Sequence, residues 1–212
     1  MPQLARGILI AIEGIDGSGK STLAKNISAS LEQQGFDTVL TKEPGHSQLG
    51  KEIRELVQTQ NMPISPRAQY LLFAADRAQH FDELIIPGLT HNKLIISDRL
   101  SDSSLAYQGY GNGLDLEMVK TINNWSMHTI IPDLTIFIRI PVEIALDRCS
   151  KRGALSAYEK RDFLHRVAAG FEELYKTRVN VIIVDGTESQ ETLNKHVCDA
   201  IEQWIQIRNI VS

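Results

Sequence analysis

The run Gly14-Ile15-Asp16-Gly17-Ser18-Gly19-Lys20-Ser21-Thr22 follows the apolar stretch ILIAIE at 8–13 without a break. It fits the phosphate-loop pattern G-x-x-x-x-G-K-[ST], a pattern that works only between a buried strand and a helix N-terminus. Its glycines let backbone N–H groups crowd round a polyphosphate, and the helix opened by Lys20 and Ser21 turns its positive end toward the anion. Residues 14–22 are therefore expected to bind a nucleoside triphosphate. Lys20 should reach the β and γ phosphates, and the Ser21 hydroxyl should ligate Mg²⁺. Asp16 is electrically out of place in a loop built for anions. It makes sense if it serves a second ligand's hydroxyl or the outer shell of the metal.

Four more short, β-branched runs follow, at 37–41, 93–98, 134–140 and 179–185. Such nearly continuous apolar runs fit strands buried on both faces of a parallel sheet. Helical patterns separate them. One covers 20–34, with Gly35 as its stop. Ser65-Pro66 reads as the cap and first turn of a helix reaching to about Ile86. A helix after Pro141 places Val142, Ala145, Leu146 and Cys149 on one face. Thr187 with Gln190 resembles a capping box, followed by Leu193, Val197, Ile201, Trp204 and Ile205 at helical spacing. The alternation predicts an α/β fold: one domain over 1–212, with a five-stranded parallel sheet flanked by helices. Mobile segments are expected at 43–50, at 107–114 and in a short cationic lid at about 148–160.

The net charge of −4 argues against a general nucleic-acid binder. The N-terminal apolar run is too short to span a bilayer. Cys149 and Cys198 form no metal or redox motif and read as reduced core thiols. A cytoplasmic protein without membrane or nucleic-acid partners is the simplest expectation.

Ligands of open parallel sheets bind beyond the strands' carboxyl ends. After the second run stand Lys42, Glu43, Pro44 and Gly45; after the third stand Asp98, Arg99, Ser103, Ser104, Tyr107 and Gln108. Asp98 is placed to approach Mg²⁺, and Arg99 can grip a phosphate with two donors. Phe73 and Arg77, four apart, share a helix face and could stack a base and bond its edge.

Together IEGIDGSGKST, TKEPG, LLFAADRAQH, ISDR…SSLAYQG, PDLTIFIRIPVEIALDR and VDGT resemble the bacterial thymidylate kinase family over nearly the whole chain. The resemblance implies a P-loop NTP hydrolase-like three-layer α/β/α fold and phosphorylation of dTMP by Mg-ATP, which makes ATP the triphosphate of residues 14–22. It also implies a homodimer paired through helices, with the helix around 66–86 in that surface. By motif position Phe73 would stack on thymine, Arg77 would bond its edge, and Pro44, Ser104 and Gln108 would line its pocket. Tyr107 would crowd the sugar's 2′ side, Asp16 would hold its 3′-hydroxyl or position the metal, and Arg99 would hold the acceptor phosphate. The turn at Asp185-Gly186-Thr187 would lie near adenine. Two departures stand out. The family's R-G-x-x-D-R-x-E lid lacks its Asp-Arg pair here, leaving Arg148, Arg152 or Arg161 as the catalytic cation, with Arg152 favoured. His46 replaces a glycine and is expected to be exposed. Glu13 is read as an anchor of the loop, not a base. A GTPase-type switch would need N-K-x-D, whereas NKLI at 92–95 carries Ile95 in the Asp position.

Overall fold

A computed structural model describes residues 4–58, 63–151 and 157–208. In chain order the elements are β1 (Ile8–Glu13), α1 (Lys20–Gln33), β2 (Thr38–Lys42), α2 (Gln48–Gln58), α3 (Pro66–His80), α4 (Ile86–Thr90) and β3 (Leu94–Asp98). Then follow α5 (Ser101–Ser104), α6 (Leu116–Ser126), β4 (Leu134–Arg139), α7 (Val142–Ser150), α8 (Ala157–Tyr175), β5 (Val181–Asp185) and α9 (Gln190–Ile207). Two π-helical turns, Phe81–Ile85 and Leu105–Gly111, join α3 to α4 and extend α5.

All five strands are parallel, in the order β2-β3-β1-β4-β5. β1 lies between β3 and β4, so the chain switches direction across the sheet at the strand that feeds the phosphate loop. Such a switch opens a crevice at the strands' carboxyl ends. Alternate β1 residues face opposite layers. Ile8, Ile10 and Ile12 pack with Leu23 and Ile27 of α1 and with Val197 and Ile201 of α9. Leu9 and Ala11 face Phe81 and Ile85, while Phe137 of β4 packs on Val167, Phe171 and Tyr175. The result is the expected three-layer sandwich.

Several expectations are corrected. The helix from Pro66 does not stop near Ile86 but runs on to Thr90 through a π-turn. Pro87 has no N–H to offer the carbonyl four residues back and its ring needs room there, which the wider turn supplies. Within 43–50, α2 starts at Gln48. Residues 107–111 form a buried turn under α8, where a Cβ on Gly111 would stand 2.6 Å from Phe163. The last helix is capped by Ser189, which accepts from the Thr192 N–H, and not by Thr187, whose hydroxyl donates to Asp185. The lid's expected bounds overlap two helices, α7 to Ser150 and α8 from Ala157. Arg152 lies outside the described residues. Farther along the charged run, Arg161 pairs with Glu143 and Arg166 donates to the Gly111 carbonyl. Cys198 is in the core, but Cys149 is only half-buried and faces a cavity.

Candidate active site

The loop after β1 turns on glycines that no other residue replaces. Gly17 has φ 84°, and a Cβ there would meet the Ala145 carbonyl at 2.3 Å. Gly19, at φ 99°, caps α1. Lys20 folds back over the loop, its Nζ donating to the Ile15 carbonyl at 2.8 Å. Burial, then the nearby Arg99 cation, bring its pKa down to about 8. The Ser21 hydroxyl donates to Asp98 Oδ2 at 2.5 Å, and the buried Asp98 Oδ1 has no hydrogen-bond partner. A hydroxyl and a carboxylate with an orphaned oxygen, at a phosphate loop, suit a hard divalent cation that keeps waters and phosphate oxygens as its other ligands.

Arg99 follows β3 with φ 74°. Its Nη1 donates to Ser103 Oγ at 2.8 Å and Gly14 O at 3.2 Å; its Nη2 donates to Asp16 Oδ1 at 2.5 Å and the Tyr107 hydroxyl at 3.3 Å. Desolvation in the loop works against the Asp16 charge, but the Arg99 and Lys20 cations hold its carboxyl below the usual range. Behind Arg99, Glu13 is fully buried. It accepts from the Leu100 and Ser103 N–H groups at 2.8 and 3.2 Å and from the Ser103 hydroxyl at 2.5 Å. Glu13 thus clamps the turn that carries Arg99, as an anchor would. Burial, backed by Asp102, pushes its pKa up to about 7.

A cavity of about 590 Å³ opens beside the loop. Asp16, Pro44, Phe73, Arg77, Arg99, Ser104, Tyr107 and Gln108 all line it, so the fold brings every residue expected at the acceptor together. A second cleft, of about 670 Å³, holds Lys20, Ser21, Thr22 and Asp98. The two meet at Asp16, Gly17, Glu43, Pro44 and Arg99. The turn at 185–187 ends β5, with Gly186 N–H bonded to the Arg139 carbonyl, and lines neither cavity.

Arg77 is buried and fixed on three sides. Its Nε donates to Glu43 at 2.8 Å, its Nη1 to Asn123 Oδ1 at 2.7 Å, and its Nη2 to Ser104 Oγ at 3.0 Å and the Leu100 carbonyl at 3.4 Å. With five N–H groups on a guanidinium, one Nη1–H is left for the cavity. Sequence reasoning places Glu43 at the cavity mouth without a role and misses Asn123, Asp76, His80 and Phe163. Phe163 lines the same cavity from α8, edge-on to Tyr107. Asp76 accepts from Gly45 N–H at 3.1 Å, and burial, then Glu43, push its pKa up to about 6. His46 is half-buried, with its ring centroid 5.1 Å from that of His80, correcting the expectation of exposure.

A triphosphate cradle meeting a second, nucleotide-sized cavity across an arginine and a carboxylate defines a P-loop phosphotransferase of small anionic acceptors. The thymidylate kinase family model matches residues 12–197. The thymidylate kinase of Halothermothrix orenii is 41% identical over 197 residues, 91% of this chain and 95% of that one. That of Carboxydothermus hydrogenoformans is 42% identical over 190 residues, covering 89% and 93%. The crystal structure of thymidylate kinase from Ehrlichia chaffeensis superposes with a TM-score of 0.79 at 27% identity, covering 92% of this chain and 99% of that one. The chain belongs to the thymidylate kinase family. No helix among the described residues is long and apolar enough to cross a membrane.

Proposed function

We propose that the chain, as one kinase domain over 1–212, transfers the γ-phosphoryl group of Mg-ATP to dTMP, giving dTDP and ADP. The observation that carries this reading is the meeting of the two cavities at Asp16, Gly17 and Arg99. Phosphoryl transfer asks little covalent chemistry of a protein. It needs two anions in line and the charge between them neutralised. Loop residues 14–22 cradle the donor, with Lys20 on its outer phosphates. Ser21 and Asp98 would hold Mg²⁺, which would supply neutralisation of the donor's phosphate charge.

On the acceptor side Arg99 grips the dTMP phosphate, and Asp16, oriented by Arg99, takes the sugar 3′-hydroxyl. Tyr107 stands against the sugar's 2′ side. Phe73 stacks on thymine, Pro44, Ser104 and Gln108 border it, and the spare Arg77 N–H faces a base carbonyl. That donor suits thymine or uracil and opposes the amino group of cytosine. No general base is required, because the acceptor phosphate is already an anion. Arg152 supplies the lid cation. The same reading places the reaction in the cytoplasm, where ATP is available and Cys149 and Cys198 stay reduced. It also pairs the chain with a second copy through the face formed by α2, α3 and α6, which leaves Leu71, Met118 and Trp125 exposed.

The test follows ADP formation from Mg-ATP with dTMP, dUMP, dCMP, dAMP, dGMP, UMP and thymidine, each alone. The expected order is dTMP first, then dUMP, with no response to thymidine. The dTMP and dUMP rates should differ by roughly 10–200-fold in kcat/KM, the scale of one methyl in an apolar pocket. Preference for another monophosphate would move the assignment within the fold and displace Phe73 and Arg77 from their roles.

A further inference from the structure

Behind the acceptor cavity lies a buried charged cluster that the transfer itself does not use. Glu43 has almost no exposed surface, and its two oxygens are divided. Oε2 takes the Arg77 Nε–H at 2.8 Å, while Oε1 lies 3.0 Å from His80 Nδ1. The His80 ring is completely enclosed, and its Nε2 lies 2.8 Å from Thr41 Oγ1 in β2. Both ring nitrogens are therefore occupied. An ionised carboxylate can only accept, so Nδ1 carries the hydrogen, and Nε2 pairs with the Thr41 hydroxyl. Burial opposes the Glu43 charge, but Arg77 and the His80 hydrogen bond outweigh it and hold that carboxyl below its usual range.

We propose that His80 is a positioning residue for the acceptor base: it fixes the rotation of Glu43, and Glu43 in turn fixes the Arg77 guanidinium against the cavity. This rests on the reading of Arg77 as the group that meets the base. The physical case is geometric. A carboxylate held at one oxygen can turn about its last bond and still satisfy an arginine in several ways. Pinned at both, it presents a single direction to Nε–H. Asn123 and Ser104 then receive Nη1 and Nη2, and the remaining N–H is left with one heading. The anchor of this chain of contacts is Thr41, near the end of the edge strand β2, where its backbone is in register with Ser97 of β3. A fully enclosed imidazole is costly unless both nitrogens are bonded, and an apolar ring would fill the space without that cost. The imidazole therefore contributes orientation beyond packing.

The experiment compares full-length wild type, H80F, H80Q and E43Q by steady-state kinetics with dTMP and ATP, alongside thermal unfolding. H80F fills the space without hydrogen bonds. It should raise the KM for dTMP about tenfold, the scale of a lost charge-assisted bond, and leave the KM for ATP within about twofold. H80Q can donate an amide N–H to Glu43 and accept from Thr41, and it should recover most of the loss. If H80F does not fold, E43Q carries the same test and should show the same split. A folded H80F or E43Q with wild-type dTMP KM, or with both KM values raised equally, overturns the proposal. If wild type uses another monophosphate and not dTMP, the substrate reading falls, while the split for that acceptor still decides the role of His80.

Discussion

Glu13 sits where one residue both shapes the site and taxes the fold. Its carboxyl is fully buried, and burial with the neighbouring Asp102 raises its pKa from an ordinary 4.5 to about 7. Between those values the folded protein holds a proton that the unfolded chain has released. Stability therefore falls as pH rises from about 4.5 to 7, and the penalty is fully present above 7. Its scale is about 3 kcal/mol for a group this enclosed. Glu13→Gln keeps the shape and cannot ionise. Denaturant unfolding of both proteins from pH 5 to pH 8 should show wild type losing ground steadily to the variant. A constant difference across that range would mean that Glu13 does not titrate there. The compensating gain is the turn at 99–103: Glu13 accepts three hydrogen bonds from it and so holds Arg99 at a positive φ, facing both cavities.

Elements decide whether such residues meet, and here the legible and illegible parts of the chain separate for physical reasons. β1, β3 and β4 announce themselves as short β-branched runs because they are buried on both faces and have no polar side to blur them, and the edge strands β2 and β5 show the same β-branched run although they are partly exposed. The residues just past the first, second and third runs line the cavities for the same topological reason. α8 was hidden. Leu164, Val167, Phe171 and Tyr175 recur at helical spacing, but the helix begins at Ala157, inside the run read as a lid at about 148–160. Asn123 and His80 escaped, and Glu43 was legible in place but not in role, because their work is done through bonds to Arg77 and to one another. Those bonds exist only once β2, α3 and α6, far apart in sequence, have packed. α8 lies along the π-helical turn that carries Tyr107 and Gln108, and the contact depends on Gly170. A Cβ there would stand 2.7 Å from Tyr110 Cβ and Cγ, atoms that cannot swing away. In an open helix Gly→Ala stabilises by about 0.5–1 kcal/mol. Gly170→Ala should instead destabilise by about 1–3 kcal/mol, the cost of overpacking, and raise the KM for dTMP as the turn shifts. A higher Tm in this variant would show that α8 and the turn are not tightly joined.

At the scale of the whole molecule, one side is unfinished in a single chain. α3 packs against both α2 and α6, and this trio leaves Leu49, Leu56, Leu71, Met118 and Trp125 in solvent, with Trp125 81% exposed. Single surface apolar residues need no explanation, but a nearly bare indole on α6 with four other large exposed apolar side chains on α2, α3 and α6 is what a buried interface supplies. α3 also carries Phe73 and Arg77 into the acceptor cavity. A second copy seated on this side would therefore restrain the helix that meets the base, while the phosphate loop, at the end of β1, stands apart from it. Sedimentation equilibrium should give wild type about twice the 23.7 kDa of one chain, and Leu71→Glu combined with Trp125→Glu should return it to one. Wild type sedimenting as a single chain at micromolar concentration would sink the pairing. Because each subunit holds a complete pair of cavities, the separated variant should still turn over. Its KM for dTMP should rise because α3 has lost its support, and its KM for ATP should rise with it, because α2 on the same side lines the second cleft through Lys51, Arg54 and Gln58.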